Sequence, residues 1–224
     1  MPSNKSHNRE RGAALLVVMS IVLMAGTSMA IEALLIKSKR SRADQKASIA
    51  MVEAKKALIA YAVIQGRLPC PSLTDTLSGY GQSATANATC TGPGQRVSFL
   101  PWTTLGLPSL VDGDKAPLLY AVSADFLNSI PANCLPASLP GRLTINGGST
   151  NYAAIIISPG STLSLLTRLQ ASNPRTILDR YLEGTNATLD STNFQATRII
   201  TKTEDGTLFN DRLLGIACEE IVGQ

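Results

Sequence analysis

Residues 13–31 (AALLVVMSIVLMAGTSMAI) run without a single charge. A helix needs about 20 such residues to cross the apolar part of a bilayer. The run therefore commits the N-terminus to a membrane, to a secretion route or to a buried helix. Residues 1–12 ahead of it are polar and basic; behind it come Glu32, a short ALLI and then KSKRSRADQK, with five basic residues and one acid. Three readings follow. In the first, the segment is a secretory signal peptide with Ser28-Met29-Ala30 as a small-x-small cleavage site. In the second it is a plain transmembrane anchor. In the third, a charged leader is cut between Gly12 and Ala13, and the apolar helix becomes the new N-terminus.

The helical pattern does not stop at the apolar run. Over residues 43–64, Ala50, Ala54, Ala57, Leu58, Tyr61 and Ala62 make one apolar stripe at helical spacing, with Lys46, Glu53, Lys55 and Lys56 on other faces. No proline occurs between Ser3 and Leu68, and Gly66 followed by Pro69 is a stop signal. One helix from Ala13 to Gln65 would be about 80 Å long. Its first half would dissolve in lipid, and its second half would offer a stripe to a globular head. The plainer alternative is an amphipathic first helix on an ordinary soluble domain.

Charge is divided along the chain. Residues 1–12 hold three basic groups and one acid, 13–66 seven and three, and 67–224 ten and twelve. The net charge of +4 thus arises near the N-terminus, and the slightly acidic body has no phosphate-binding face. With aromatics at 4%, base stacking is poorly served too, so no nucleic-acid partner is expected. The single histidine, His7, lies within the leader of the third reading. Removing that leader removes Ser-His-Asp, Cys-His and His-zinc chemistry with it.

Residues 67–224 read as a head of short elements. Strands are expected over 118–123, 142–146, 152–158 and 197–203, a short helix over 161–170, and either strand or helix over 213–217. Pro69 and Pro71 force an extended exit from the long helix. Trp102, between Pro101 and a Gly-Leu-Pro turn, is expected as a buried anchor under a loop. Residues 72–99 and 131–151 are crowded with Pro, Gly, Ser, Thr and Asn and read as long loops. The glycine pairs Gly92/Gly94 and Gly147/Gly148 match no phosphate-binding fingerprint. Ser158-Pro159-Gly160 lacks the G-x-S-x-G elbow and reads as a strand end leading into a helix. No catalytic residue is expected, and the chain is read as a non-enzyme.

The helix ending KKALIAYAV is followed by Arg67-Leu-Pro-Cys-Pro71, Leu100-Pro-Trp-Thr-Thr-Leu-Gly-Leu-Pro108, Leu118 to Val122, Ala153 to Gly160, Tyr181-Leu-Glu-Gly184 with Asn186, and Phe209-Asn-Asp211. This series, behind a short charged leader ending in Gly12, resembles bacterial pilin-like proteins of the prepilin or type II secretion pseudopilin kind. The resemblance implies an α+β fold: a long N-terminal helix, transmembrane in its first half, packed on a small antiparallel head with long loops. Its divisions would be a leader over 1–12, a transmembrane segment over 13–36, an amphipathic continuation over 37–66 and a periplasmic or extracellular head over 67–224. It further implies cleavage between Gly12 and Ala13 by a prepilin peptidase, N-methylation of Ala13, and helix packing through Val17, Ala25, Gly26 and Ser28. The partners would be other pilin or pseudopilin subunits, and the site the inner membrane, crossed once.

The sequence departs from that pattern at two positions. Ala13 stands where Phe is usual, and Val17 where Glu is usual. In such assemblies the acid is thought to meet a neighbour's N-terminal amine within lipid, where an unpaired charge is costly. A subunit at a filament tip has no neighbour above it and can dispense with the acid, so a minor, tip-located or initiating subunit is expected. The alternative function is a membrane-tethered or secreted binding module using the loops of the head.

Two further expectations concern the head. Cys70, Cys90, Cys134 and Cys218 include no C-x-x-C, and an even count in an exported chain implies two disulfides with three possible connectivities. Cys70–Cys90 with Cys134–Cys218 is the favoured one, because the first would staple the following loop to the helix exit. Asp179, Glu183, Asp190, Glu204, Asp205 and Asp211 crowd the C-terminal part. They lack an EF-hand spacing and read by default as a solvated acidic surface, with calcium the lesser possibility. Asn210 and Asp211 are expected to cap a following helix.

Overall fold

A computed structural model describes Met19 and residues 38–73, 86, 89–92, 94–161, 174–189, 191–196, 201–202 and 208–223. The chain divides into two compact units, residues 1–43 and 44–224. In the first, residues 38–43 are helical. Among the described residues no helix is long and apolar enough to cross a membrane. The segment expected to do so, 13–36, lies outside the described residues apart from Met19, as do Gly12, Ala13, Val17, Ala25, Gly26 and Ser28.

The second unit is α+β. Helix α1 takes residues 44–65. Its buried face is built from Ala47, Ala50, Met51, Ala54, Leu58 and Ala62, the last three fully inaccessible. Four alanines on one face let the helix backbone approach the sheet closely. Gly66, at φ +66°, ends the helix and donates its N–H to the Ala62 carbonyl at 2.9 Å. Leu68 then donates to the Phe126 carbonyl, and the chain leaves extended through Pro69 and Pro71.

The sheet comprises β1 (Val97–Phe99), β2 (Leu119–Val122), β4 (Tyr152–Ser158) and β8 (Arg212–Ala217), in that spatial order and antiparallel throughout. Side chains alternate between its faces. Tyr120, Val122, Ala154, Ile156 and Ile216 join the α1 face in one core. Val97, Phe99, Leu119, Ala121, Ile155 and Ile157 form a second core with Leu178 and Tyr181 of helix α2 (Pro174–Tyr181), Leu182 and Phe194. The rings of Phe99 and Tyr181 meet edge to face with centroids 5.4 Å apart. Burial on both faces explains why β4 reads as an unbroken apolar run rather than an alternating one.

Smaller pieces complete the unit. β3 (Thr144–Ile145) pairs in parallel with β5 (Asn193–Phe194), and β6 (Thr201–Lys202) pairs with β7 (Leu208–Phe209). Helix α3 (Glu219–Val222) closes the C-terminus. The strands expected over 118–123 and 152–158 are present, and 213–217 resolves as strand. The region expected as loop over 72–99 contains β1, and α2 was not foreseen. The helix expected over 161–170 lies outside the described residues beyond Ser161, and of the strand expected over 197–203 only 201–202 are described.

Candidate functional site

Helix α1 has a second face. Opposite the buried alanines, Ile49, Val52, Val63 and Ile64 are exposed, Ile64 at 77%. Gln45, Ile49, Val52, Lys56, Ile59 and Val63 follow one another at alternating steps of four and three residues. That is the spacing by which one helix seats another at a shallow crossing angle. The structure thus gives α1 a small-residue face against its own sheet and an outer face on which exposed Ile49, Val52 and Val63 alternate with Gln45 and Lys56, while Ile59 packs on the core.

The two disulfides hold the ends of the unit to this scaffold. Cys70 pairs with Cys90, and Cys134 with Cys218, which is the favoured connectivity. The second bond ties the loop before β3 to the end of β8. There the backbone is also clamped to α1. Lys55 Nζ donates to the Gly215 carbonyl at 3.0 Å and to Glu220 at 2.8 Å, and Glu220 Oε2 accepts from the Ala217 N–H at 2.8 Å. At the other end of β8, Arg212 pairs with Asp44 at 2.6 Å.

Two buried carboxyl groups lie near the start of β8 and the end of β4. Asp112 is encircled by donors: Asp114 and Ala116 N–H on Oδ1, the Ser158 hydroxyl and Gly160 N–H on Oδ2. Burial raises its pKa, and those bonds oppose the rise. Its part is to pin the 111–116 turn to the end of β4. Asp211 is wholly inaccessible. Its Oδ2 accepts from Asn186 Nδ2 at 2.9 Å and Glu183 N–H at 3.3 Å, while Oδ1 has no ordinary donor and its carboxyl group bonds that of Glu183. Burial first, and then the Glu183 charge, push Asp211 well above the usual carboxylate range. Both effects favour the protonated form of Asp211.

This arrangement corrects two expectations. Asn210 and Asp211 do not cap a helix, because the element after them is strand β8; Asp211 instead turns inward to fasten the 183–186 turn. The C-terminal acids do not form one solvated surface. Asp211 is buried beside half-buried Glu183, Asp179 is exposed, and Asp190, Glu204 and Asp205 lie outside the described residues. Among the described residues no three acidic, histidine or cysteine side chains are grouped to hold a metal ion. Trp102, expected to be buried, is half-buried and packs against the α1-side core.

Sequence reasoning had no means of finding the Lys55–Glu220 clamp, whose partners are 165 residues apart. No protein-family model, curated protein or solved structure matches the chain.

Proposed function

We propose that the protein is a minor pilin-like or pseudopilin subunit, tip-located or initiating, that assembles through its N-terminal helix. The observation that carries this reading is the division of α1 into two faces. An alanine face is spent on the subunit's own sheet. The outer face exposes Ile49, Val52 and Val63 at helix-seating intervals, interleaved with Gln45 and Lys56, which suits a subunit that packs against neighbouring helices. The uncharged run over 13–31, the charged leader ending in Gly12 and two disulfides of the kind favoured outside the cytosol agree with it. Val17 in place of an acid supports the minor role.

The test is the intact mass of the protein recovered from its native membrane. Loss of residues 1–12, with one added methyl group on Ala13, is the expected result. Loss of residues 1–30 would mean ordinary secretion and would end the filament reading. For the minor role, the copy number per filament is counted; a subunit present along the whole shaft would remove it, and Val17→Glu is expected to change incorporation.

A further inference from the structure

Strand β8 is the outermost strand of its sheet, with β4 on one side only. In an antiparallel ladder the backbone groups of every second residue point away from the paired strand. Three observations fix which ones. Cys218 N–H reaches inward to the Asn151 carbonyl, whereas the Gly215 carbonyl and the Ala217 N–H are taken by Lys55 and Glu220. Residues 213, 215 and 217 therefore face outward. The clamp from α1 and α3 occupies the latter half of this edge. Leu213 has the same outward parity, and among the described residues neither its N–H nor its carbonyl has a partner outside the ladder.

Beside this open half lies a groove of about 790 Å³. Ser48, Met51 and Val52 of α1 wall one side, and Asn146 and Ala196 the other, with Leu213 and Leu214 at its base. Asp44 and Arg212 also line it but neutralise each other. The groove thus carries no net charge to attract or refuse a ligand. What it offers is the unmatched N–H and carbonyl of Leu213 between the α1 side and the Asn146–Ala196 side.

We propose that this edge binds an extended, uncharged segment of another protein chain, which adds a strand to β8. Such a segment hydrogen-bonds Leu213 through its backbone. Its alternate side chains fall against Met51 and Val52 on one face and against Asn146 and Ala196 on the other. Because α1 flanks this edge on one side and Asn146 and Ala196 on the other, a lone extended segment, a loop or terminus, is the occupant that suits it. The proposal does not depend on filament assembly and would stand for a tethered binding module as well.

The probe is a library of random heptapeptides displayed on phage, selected against the full chain in detergent micelles. Peptides with an apolar residue at every second position are expected to be enriched. They should slow amide exchange at Leu213 and Gly215. Leu213→Pro removes an outward N–H without touching the β4 ladder, so it should fold and bind at least about tenfold more weakly, the loss of one good hydrogen bond. Leu213→Ala keeps the N–H and should bind more tightly than Leu213→Pro. Synthetic peptides supply a check that needs no protein variant: N-methylation should abolish binding at residues of one parity and be tolerated at the other. No enrichment, equal binding by the folded Leu213→Pro variant, or indifference to N-methyl position would each overturn the proposal. Self-association of the chain that Leu213→Pro dissolves would overturn the choice of occupant, because a second copy would then hold the edge.

Discussion

The two edges of the central sheet are closed by different means. At β1, Ser72 forms a bridge with Phe99 in both directions, Ser98 adds its hydroxyl to the Ser72 carbonyl at 2.7 Å, and the Cys70–Cys90 bond anchors the segment just before. Among the described residues no strand pairs with the outer edge of β8, and side chains do the work instead: Lys55, Glu220, and the Arg212–Asp44 pair. A backbone closure occupies donors and acceptors permanently. A side-chain closure occupies them conditionally, because it depends on long rotamers and on charge. An open strand edge is an aggregation hazard unless it is guarded in some such way. The difference marks β1 as the structural edge and β8 as the one that can respond.

The disulfides give this contrast its largest test. Cys70–Cys90 closes a separation of 20 residues and Cys134–Cys218 one of 84. If a cross-link acts mainly by restricting the unfolded chain, replacing both members of the first pair by Ala should cost about 3 kcal/mol and of the second about 4–5 kcal/mol. Denaturant titration of the two double variants measures both values. The second variant should also lose protection along β8, since Cys218 ends that strand's clamp. Equal costs, or fraying at β1 in both variants, would break the contrast.

The next effect concerns pH. Asp211 precedes β8 directly, and burial beside Glu183 raises its pKa, whereas the closure of β1 contains no titrating group. Because the folded state raises the Asp211 pKa, it binds a proton that the unfolded chain gives up. Stability from this source is complete below the ordinary carboxylate range and falls as pH rises through the folded value. The melting temperature should therefore drop by several degrees between mildly acid and mildly alkaline buffer. Asp211→Asn, which mimics the protonated group and can donate to Glu183, should flatten most of the slope. A smaller slope of the same sign should persist from Asp112, whose pKa is also raised. A wild-type protein that gains stability with rising pH would refute the raised Asp211 pKa.

Most of this framework was legible in the sequence, for identifiable reasons. The alanine stripe of α1 and the run AAIIIS of β4 are local patterns whose period survives into the fold. The helix stop at Gly66 and the extended prolines behind it are local chemistry as well. What escaped was decided at long range. β1 is three residues inside a Pro- and Gly-rich stretch and becomes a strand only because β2 and Ser72 flank it. α2 opens with Pro174, a favoured first helical residue, but it holds its place by inserting Leu178 and Tyr181 into a core contributed by other strands. Asn210 and Asp211 look like a helix cap, since a cap and a buried turn use the same residue types. Nothing local distinguishes them. The Leu213 edge is the extreme case, because whether a strand is outermost is a property of the sheet and not of the strand.

The smallest prediction compares the two closures directly. Ser98→Ala removes a buried hydrogen bond but leaves the Ser72 carbonyl engaged by Phe99 N–H at 3.2 Å. The expected cost is about 1 kcal/mol. Lys55→Ala breaks a half-exposed ion pair and one bond to Gly215. Exposed pairs contribute little, so its cost should be about 1 kcal/mol or less. By stability alone the two variants would be hard to tell apart. Amide exchange separates them. In Ser98→Ala the amides of Ser72 and Phe99 still bond each other's carbonyls and should stay protected. In Lys55→Ala, Glu220 loses the charge that positions it, and the Ala217 amide, which bonds only to that carboxylate, should exchange markedly faster. Free Gly215 and Ala217 groups would also lengthen the open part of the β8 edge, so the same variant should bind strand-adding peptides more tightly while being slightly less stable. If Lys55→Ala leaves the Ala217 amide protected, the clamp is ornamental, and the two edges differ only in sequence position.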